Sequence, residues 1–235
     1  MTSAPVAVIA GSGGGGTAAA ASLAAAGFVV VVLDRRLEKA QAVVDTRAGA
    51  TAEAHGLDLG DLAAVQAIGD DLLDRYGRVD VLVHLVGGWR GSPSLDAAAV
   101  ENWQALHPPI VGTLAVLSAV FGDAVRQSPQ GRILMVTSTT AVAPSVGNIA
   151  YAAAKRAAEG WMDGIADYFR ESSSAAVTMA VKALLTDDMI AAEPDKSWSG
   201  YTHVRDLASA ITVQCTGDAV NGSRVDLTID ETTAR

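Results

Sequence analysis

The stretch Ser138-Thr-Thr-Ala-Val-Ala-Pro-Ser-Val-Gly-Asn-Ile-Ala-Tyr151-Ala-Ala-Ala-Lys155 follows an apolar run, 132–137, and leads into an alanine-rich segment, Ala150–Phe169. The apolar run is typical of a buried parallel strand, and the alanine-rich segment predicts a helix. Tyr151 and Lys155 are four positions apart, so they share one face of that helix. Ser138 ends the strand, at the edge where open α/β sheets bind ligands.

Ser138, Tyr151 and Lys155 are candidate catalytic residues because their side chains suit proton transfer. A free phenol has a pKa of ~10, and an ammonium one helical turn away would lower it. Tyr151 could then exchange a proton with an alcohol or ketone, while the Ser138 hydroxyl bonds the same oxygen. The alternative is a surface helix in which Tyr151 and Lys155 have no special role. The serine and a glycine-rich start to the chain weigh against that alternative.

A glycine-rich loop follows the first predicted strand, Val6–Ala10, and precedes a predicted helix over Ala18–Ala26. Glycines let the backbone pass close to a pyrophosphate, and a helix N-terminus supplies N–H groups and a positive dipole end. This order predicts a dinucleotide-phosphate site, with a flexible turn as the alternative. The loop residues expected to bind the cofactor are Gly11, Ser12, Gly13, Gly14 and Gly15.

The second predicted strand, Phe28–Leu33, ends at Asp34. A carboxylate about 20 residues beyond the glycines can accept hydrogen bonds from an adenosine ribose and repel a 2′-phosphate. Asp34 therefore favours NAD, although it could instead cap a helix. Arg35 and Arg36 keep NADP open as the alternative cofactor, since an arginine can hold a 2′-phosphate.

The middle of the chain continues the alternation of strands and helices. Helices are predicted over 38–48 and 62–76, and strands over 51–57 and 79–86. Asp58 and Leu59 close the third strand, where they are placed to meet an adenine edge; a capping aspartate is the alternative. Gly87, after the fourth strand, would let the backbone lie against the cofactor.

Ala97–Arg126 is predicted as a long helical region that His107-Pro108-Pro109 breaks, because proline removes a backbone donor. His107 is a weak acid–base candidate, since a lone histidine near a kink is more often structural. Leu114–Ala124 could form a helix-pair dimer interface with the Tyr151 helix, or simply cover the sheet.

The C-terminal third is predicted to hold a strand over 175–181, a helix over 204–215 and a last strand over 224–229. The segment 186–201 between them could be a mobile lid, or an ordinary surface loop. Trp89, Trp161 and Trp198 could line an apolar pocket, although each is as consistent with ordinary packing.

The composition of the 235 residues is that of one α/β domain, 1–235, with a large core. The net charge of −9 and the lack of a Lys/Arg cluster argue against nucleic-acid binding. No apolar run free of breakers could span a membrane. Cys215 is the only cysteine, so we expect no disulfide framework, no cysteine metal cluster and a cytoplasmic protein.

Together these features resemble the short-chain dehydrogenase/reductase family, in its short single-domain form, over essentially the whole chain. Gly11 and Gly15 match the first two glycines of its Thr-Gly-x-x-x-Gly-x-Gly loop, with Ala10 and Thr17 in place of the threonine and the last glycine. The active-site and acidic positions of the family fall on Ser138, Tyr151, Lys155, Asp34 and Asp58.

The resemblance implies a Rossmann-type doubly wound parallel sheet of seven strands in the order 3-2-1-4-5-6-7. It also implies a nicotinamide cofactor, whose amide Thr186 would reach with Leu184 nearby, and a tetramer or dimer. The implied reaction is hydride transfer between nicotinamide and a small-molecule carbonyl or secondary alcohol, with no metal.

Three departures favour a second hypothesis, a non-catalytic NAD(P)-binding sensor or scaffold. His84-Leu85-Val86-Gly87 stands where the family has Asn-Asn-Ala-Gly, and Val181-Lys182 replaces Pro-Gly. Pro109 occupies the position of the family's asparagine, whose backbone carbonyl helps hold a water in a proton relay to the lysine. Pro109 retains a carbonyl, so the relay could survive.

Overall fold

The computed structural model describes residues 4–46 and 51–228, and its centre is a parallel sheet. The strands of these residues are β1 Val6–Ala10, β2 Val29–Asp34, β3 Ala52–Gly56, β4 Val81–His84, β5 Arg132–Ser138, β6 Ala175–Val181, β7 Leu184–Leu185, β8 Thr202–His203 and β9 Ser223–Asp226. Seven of them pair in the order β3-β2-β1-β4-β5-β6-β9, and β7 and β8 form a separate parallel pair.

The predicted sheet order is confirmed, with the seventh strand of the sheet being the ninth in the chain. The strand pair β7–β8 was not predicted, because two residues are too few to carry an alternating pattern. The predicted end of the last strand, Ile229, and the predicted end of the second helix, 47–48, lie outside the described residues.

Helices cover both faces of the sheet. They are α1 Gly14–Ala25, α2 Leu37–Asp45, α3 Leu62–Tyr76, α4 Ala97–His107, α5 Thr113–Gln127, α6 Ile149–Tyr168, α7 Asp187–Ala192 and α8 Val204–Thr216. Side chains alternate along each strand, so Val8 of β1 enters a core with Leu117 of α5, while Ile9 enters a second core with Leu23 of α1. The two cores are the doubly wound arrangement that the sequence predicted.

The helical run Ala97–Gln127 continues through the two prolines instead of breaking there. Residues Pro108–Gly112 form a π-helical turn, in which the Thr113 N–H donates to the carbonyl of Pro108, five residues back. The wider turn accommodates the prolines, which lack N–H groups. The apolar run of α5 covers the sheet, because Leu114 and Phe121 are fully buried in the core.

By length and composition alone, Ala97–Gln127 could cross a membrane, with a mean hydropathy of 1.6. Its apolar side chains Leu106, Ile110 and Leu117 pack against the sheet. This placement is typical of a core helix in a soluble α/β protein.

Two helices at the ligand edge differ from the sequence prediction. Helix α1 begins at Gly14, four residues earlier than expected, because tertiary packing overrides the low helix propensity of glycine. The proposed lid segment 186–201 contains α7, whose N-cap Thr186 accepts a hydrogen bond from the Met189 N–H at 3.3 Å. A six-residue helix is too short to give a periodic signal.

Candidate active site

Ser138, Tyr151 and Lys155 come together at the carboxyl end of β5. Ser138 is the last residue of the strand, and its side chain lies near enough to Tyr151 to counter part of the rise in the tyrosine pKa. The Ser138 oxygen also accepts the Thr140 hydroxyl at 3.0 Å and the Thr140 N–H at 3.2 Å. The Lys155 ammonium lies 5.9 Å from the centroid of the Tyr151 ring. These contacts bring the three side chains into one cluster.

The expected lowering of the Tyr151 pKa by Lys155 is wrong for this structure. Burial raises the pKa of Tyr151, and the nearby Ser138 side chain only partly offsets that rise. The Lys155 ammonium donates to the Val136 carbonyl at 2.8 Å and lies beside the tyrosine ring. Tyr151 is therefore a neutral phenol near pH 7, which is the form that can donate a proton.

Burial lowers the pKa of Lys155 to about 8, and the negative charge of Glu159 acts against this fall. Glu159 is one turn further along α6 and is buried. Its carboxylate accepts the Thr137 hydroxyl at 2.8 Å and pairs with Arg156 at 2.8 Å and Arg224 at 3.4 Å. Sequence reasoning missed Glu159, although its four-residue spacing from Lys155 places both on one helix face.

The glycine loop is closely packed on one side and open on the other. A Cβ at Gly16 would lie 1.9 Å from the Gly11 carbonyl oxygen, and Gly11 has a φ of +103°. Both positions therefore require glycine. No heavy atom of the described residues lies within 4 Å of a Cβ built at Gly13, the N-cap of α1. Because Gly13 provides no side-chain cap, the first N–H groups of α1 are available to an anionic ligand.

Leu184 and Thr186 lie against the first turn of α1. A Cβ at Gly14 would be 2.9 Å from Thr186 Cγ2, and a Cβ at Gly15 would be 3.4 Å from Leu184 Cδ1. The segment after β6 and the glycine loop, which are far apart in sequence, thus form adjacent walls of one cleft.

Asp34 links β2 to the glycine loop rather than capping a helix. Its Oδ2 accepts the Ser12 hydroxyl at 2.6 Å and the Ser12 N–H at 2.9 Å, while Oδ1 accepts the Arg36 N–H at 3.0 Å. Burial opposes ionisation, but the bonds from Ser12 and Arg36 hold the pKa of Asp34 below its usual value. The N-cap of α2 is Arg36, and the side chains of Arg35 and Arg36 are exposed beside Asp34.

The remaining predicted cofactor residues lie at neighbouring strand ends. Asp58 is exposed just beyond β3 and accepts the Gly60 N–H at 2.9 Å, while Leu59 is buried. Gly87 follows β4, and a Cβ there would lie 3.8 Å from Lys155 Nζ and 3.5 Å from Ile110 Cγ1.

His107 and Trp161 do not join this cluster. The His107 ring stacks on Trp103 at 5.1 Å and bonds the Trp103 carbonyl at 3.0 Å, which is a structural role. Trp161 is ten residues beyond Tyr151, about 15 Å along the helix axis, and its Nε1 donates to Ser118 at 3.0 Å. Trp161 therefore lies outside this cluster, and a pocket shared by the three tryptophans stays a prediction.

Residues 5–196 match the short chain dehydrogenase family. YohF, an uncharacterized oxidoreductase of Escherichia coli (strain K12), is 34% identical over 113 residues, 48% of this chain and 44% of that protein. The matched part of the chain spans only about half the length of the first curated relatives, at 44%, 56% and 48%.

Two other similar proteins are matched over most of their length. The 7alpha-hydroxysteroid dehydrogenase of E. coli (strain K12) is 28% identical over 78% of this chain and 76% of its own. A metagenomic short-chain oxidoreductase, solved in complex with NADP, is 28% identical with a TM-score of 0.77, covering 96% of this chain and 98% of that one. Because the family match extends from the first strand past the glycine loop and the cluster of Ser138, Tyr151 and Lys155, this chain belongs to the short-chain dehydrogenase family.

Proposed function

We propose that this protein is an NAD(P)-dependent oxidoreductase that interconverts a carbonyl compound and a secondary alcohol, with Tyr151 as the acid and base. The observation that carries the proposal is the neutral, partly buried Tyr151 phenol next to Ser138, with the Lys155 ammonium beside its ring. Each of these groups has a defined part in moving one proton to or from a substrate oxygen.

The residues around the cleft fit a dinucleotide. The open space at Gly13 and the uncapped start of α1 suit a pyrophosphate. Lys155 would hold the nicotinamide ribose, and the bound cofactor supplies or accepts the hydride. The other residues proposed to contact it are Gly11, Ser12, Gly14, Gly15, Asp34, Arg35, Asp58, Leu59, Gly87, Tyr151, Leu184 and Thr186.

In the direction of reduction, Tyr151 gives its phenolic proton to the substrate oxygen as negative charge builds there. The Ser138 hydroxyl can turn from Tyr151 toward the same oxygen and hydrogen-bond it. The Lys155 ammonium beside the ring would offset part of the cost of leaving Tyr151 as a phenolate, although burial keeps the resting pKa of Tyr151 raised. In oxidation the phenolate takes the proton from the alcohol.

The choice between NAD and NADP rests on Asp34 and the two arginines beside it. Asp34 supports NAD, because its carboxylate is held ionised and would repel a 2′-phosphate. The exposed Arg35 and Arg36 support NADP at least as well, as does the NADP in the metagenomic oxidoreductase. Parallel titrations with NADH and NADPH measure the preference. Asp34→Ala should shift it toward NADPH by removing the repulsion.

The substrate is proposed to be a small carbonyl or alcohol. The similar 7alpha-hydroxysteroid dehydrogenase makes hydroxysteroids one class for the panel, beside polyols and ketones. We expect a cytoplasmic homo-oligomer, a dimer or tetramer, with no nucleic-acid or membrane partner.

The test is turnover of NADH and NADPH with this panel, run beside direct measurement of cofactor binding. Turnover that requires Tyr151 supports the proposal. Cofactor binding without turnover on any member of the panel would favour the sensor or scaffold alternative.

A further inference from the structure

A short buried chain of hydrogen bonds joins the end of β4 to the π-helical turn. The Thr113 hydroxyl donates to the Pro109 carbonyl at 2.7 Å, and His84 Nε2 lies 2.8 Å from the same hydroxyl oxygen. Thr113 has one hydroxyl proton, and a carbonyl can only accept, so that proton belongs to the bond with Pro109. His84 Nε2 must therefore carry a hydrogen and donate it to Thr113.

His84 is held neutral within this network of hydrogen bonds. The side chain is 1% exposed, and burial, with the nearby charge of Lys155, lowers the pKa of His84 to about 3. Its other nitrogen, Nδ1, is buried and has no hydrogen-bond partner within the part of the chain that the structure describes. A neutral imidazole with a hydrogen on Nε2 satisfies the Thr113 oxygen without placing a second positive charge beside Lys155.

The geometry of the π-helical turn explains why the Pro109 carbonyl needs this support. In an α-helix, the Thr113 N–H would bond the carbonyl four residues back, which is that of Pro109. Here it bonds Pro108 instead, so the Thr113 side chain serves the Pro109 carbonyl. A buried carbonyl that lost this donor would be costly to leave unpaired, and the turn would shift to find another partner.

The same turn lies against the catalytic cluster. Ile110, the residue after Pro109, is fully buried. A Cβ built on Gly87 would lie 3.5 Å from Ile110 Cγ1 and 3.8 Å from Lys155 Nζ, so Gly87 stands between the turn and the lysine. A displacement of the turn would therefore reach Lys155 through one intervening residue. Small displacements of catalytic groups lower the turnover rate strongly.

We propose that His84 and Thr113 are positioning residues, which fix the π-helical turn and the Pro109 carbonyl against Gly87 and Lys155. The inference rests on the proposed oxidoreductase function. It connects two departures from the family pattern, at positions 84 and 109, that look unrelated in the sequence. In the fold, Thr113 links them, so each departure compensates for the other.

The main test measures turnover and melting temperature for three variants, each of which replaces one threonine. Thr113→Val keeps the shape but removes the hydroxyl, and kcat should fall about tenfold, equal to about 1.4 kcal/mol, with KM for the cofactor unchanged. Thr113→Ser retains the hydroxyl and should restore kcat to near the wild-type value. The control Thr212→Val removes the Thr212–Ser22 bond, 2.7 Å long, between α1 and α8. It should lower the melting temperature and leave kcat unchanged.

A second measurement does not depend on turnover. Nitrogen NMR of the wild-type protein should find His84 neutral with its hydrogen on Nε2, and Thr113→Val should alter that signal. His84→Gln, whose amide nitrogen can take the place of Nε2, should retain more activity than His84→Leu.

Thr113→Val with wild-type kcat, or Thr113→Ser as impaired as Thr113→Val, would overturn this inference alone. A hydrogen found on Nδ1 of His84 would do the same. Wild-type protein that binds cofactor but turns over nothing would overturn the proposed function and this inference with it.

Discussion

Tyr151 keeps its proton near pH 7, since burial raises a phenol pKa that is already well above 7. Ser138 and Lys155 lie beside it. Replacing it with Phe removes the transferable proton and leaves the ring in place. We expect Tyr151→Phe to lower kcat by roughly 10²- to 10⁴-fold, the usual contribution of a positioned acid, with cofactor affinity retained. Steady-state turnover and cofactor titration measure the two effects.

Tyr168 provides the matched control for that change, since it is on the same helix and its hydroxyl bonds Asp123 on the outer surface. Tyr168→Phe should keep full activity. A Tyr151→Phe protein as active as wild type would remove Tyr151 from the mechanism.

In the proposed mechanism, the protonation of Lys155 sets the alkaline limit of the reaction. Its pKa is about 8, below the ordinary value of 10.5, so the ammonium is present below about pH 8 and is lost as the pH rises through that value. Reductive activity that needs the ammonium should decline over the same range. The charge of Glu159, on the same helix, raises the lysine pKa, and the charge of Lys155 in turn helps to lower the pKa of His84 on β4.

Glu159→Gln should therefore move the alkaline decline of kcat to lower pH. The amide keeps the shape of the side chain but loses the charge that stabilises the ammonium and pairs with Arg156 and Arg224. A pH profile of kcat for both proteins, taken in the reductive direction, checks this. An unchanged or alkaline-shifted profile would contradict it.

At the level of elements, the loop before α1 offers a pair of substitutions with opposite expectations. Gly16→Ala forces a Cβ to 1.9 Å from the Gly11 carbonyl oxygen, so the loop must move. We expect a loss of about 1–3 kcal/mol of stability, as for other overpacked sites.

Gly13→Ala meets no described atom within 4 Å and has an ordinary φ of −68°. It should keep the melting temperature but weaken cofactor binding, because its methyl group enters the proposed pyrophosphate site.

Thermal unfolding and cofactor titration of both variants separate the two effects. Equal loss of stability in both would mean that the loop is generally intolerant of a Cβ. Unchanged cofactor affinity in Gly13→Ala would place the pyrophosphate elsewhere.

Most of the sheet could be predicted from sequence because its central strands, such as β1, β2 and β6, are apolar runs between turn residues. Helix α3 was predicted at Leu62–Tyr76 as observed. The π-helical turn could not be predicted. Two prolines indicate that a helix is interrupted, but they do not determine which backbone conformation replaces the regular turn. The direction of the Tyr151 pKa also escaped prediction. Spacing shows that Lys155 is near Tyr151, but only coordinates show that burial raises the tyrosine pKa and that the ammonium donates to the Val136 carbonyl.

In the molecule as a whole, the outer face of α5 and α6 is the surface best suited to a second copy of the chain. Trp161 and Tyr168 are 44% and 46% exposed there. Beside them, Gly122, Gly160 and Gly164 have open space, since no described atom lies within 4 Å of a Cβ built at any of the three. Glycines on packed helices allow close approach, and exposed aromatic side chains favour burial at an interface.

We therefore expect a dimer that buries this helix pair, and Trp161→Glu should shift it to a monomer because a carboxylate would lose its water at the interface. Light scattering after size-exclusion chromatography, over a range of concentrations, measures the mass directly. Trp89→Glu is the control, since Trp89 is 68% exposed and lies near Gly91, in the segment after β4 and not on α5 or α6. If Trp89→Glu dissociates the oligomer and Trp161→Glu does not, the interface lies around Trp89 and not on the outer face of α5 and α6.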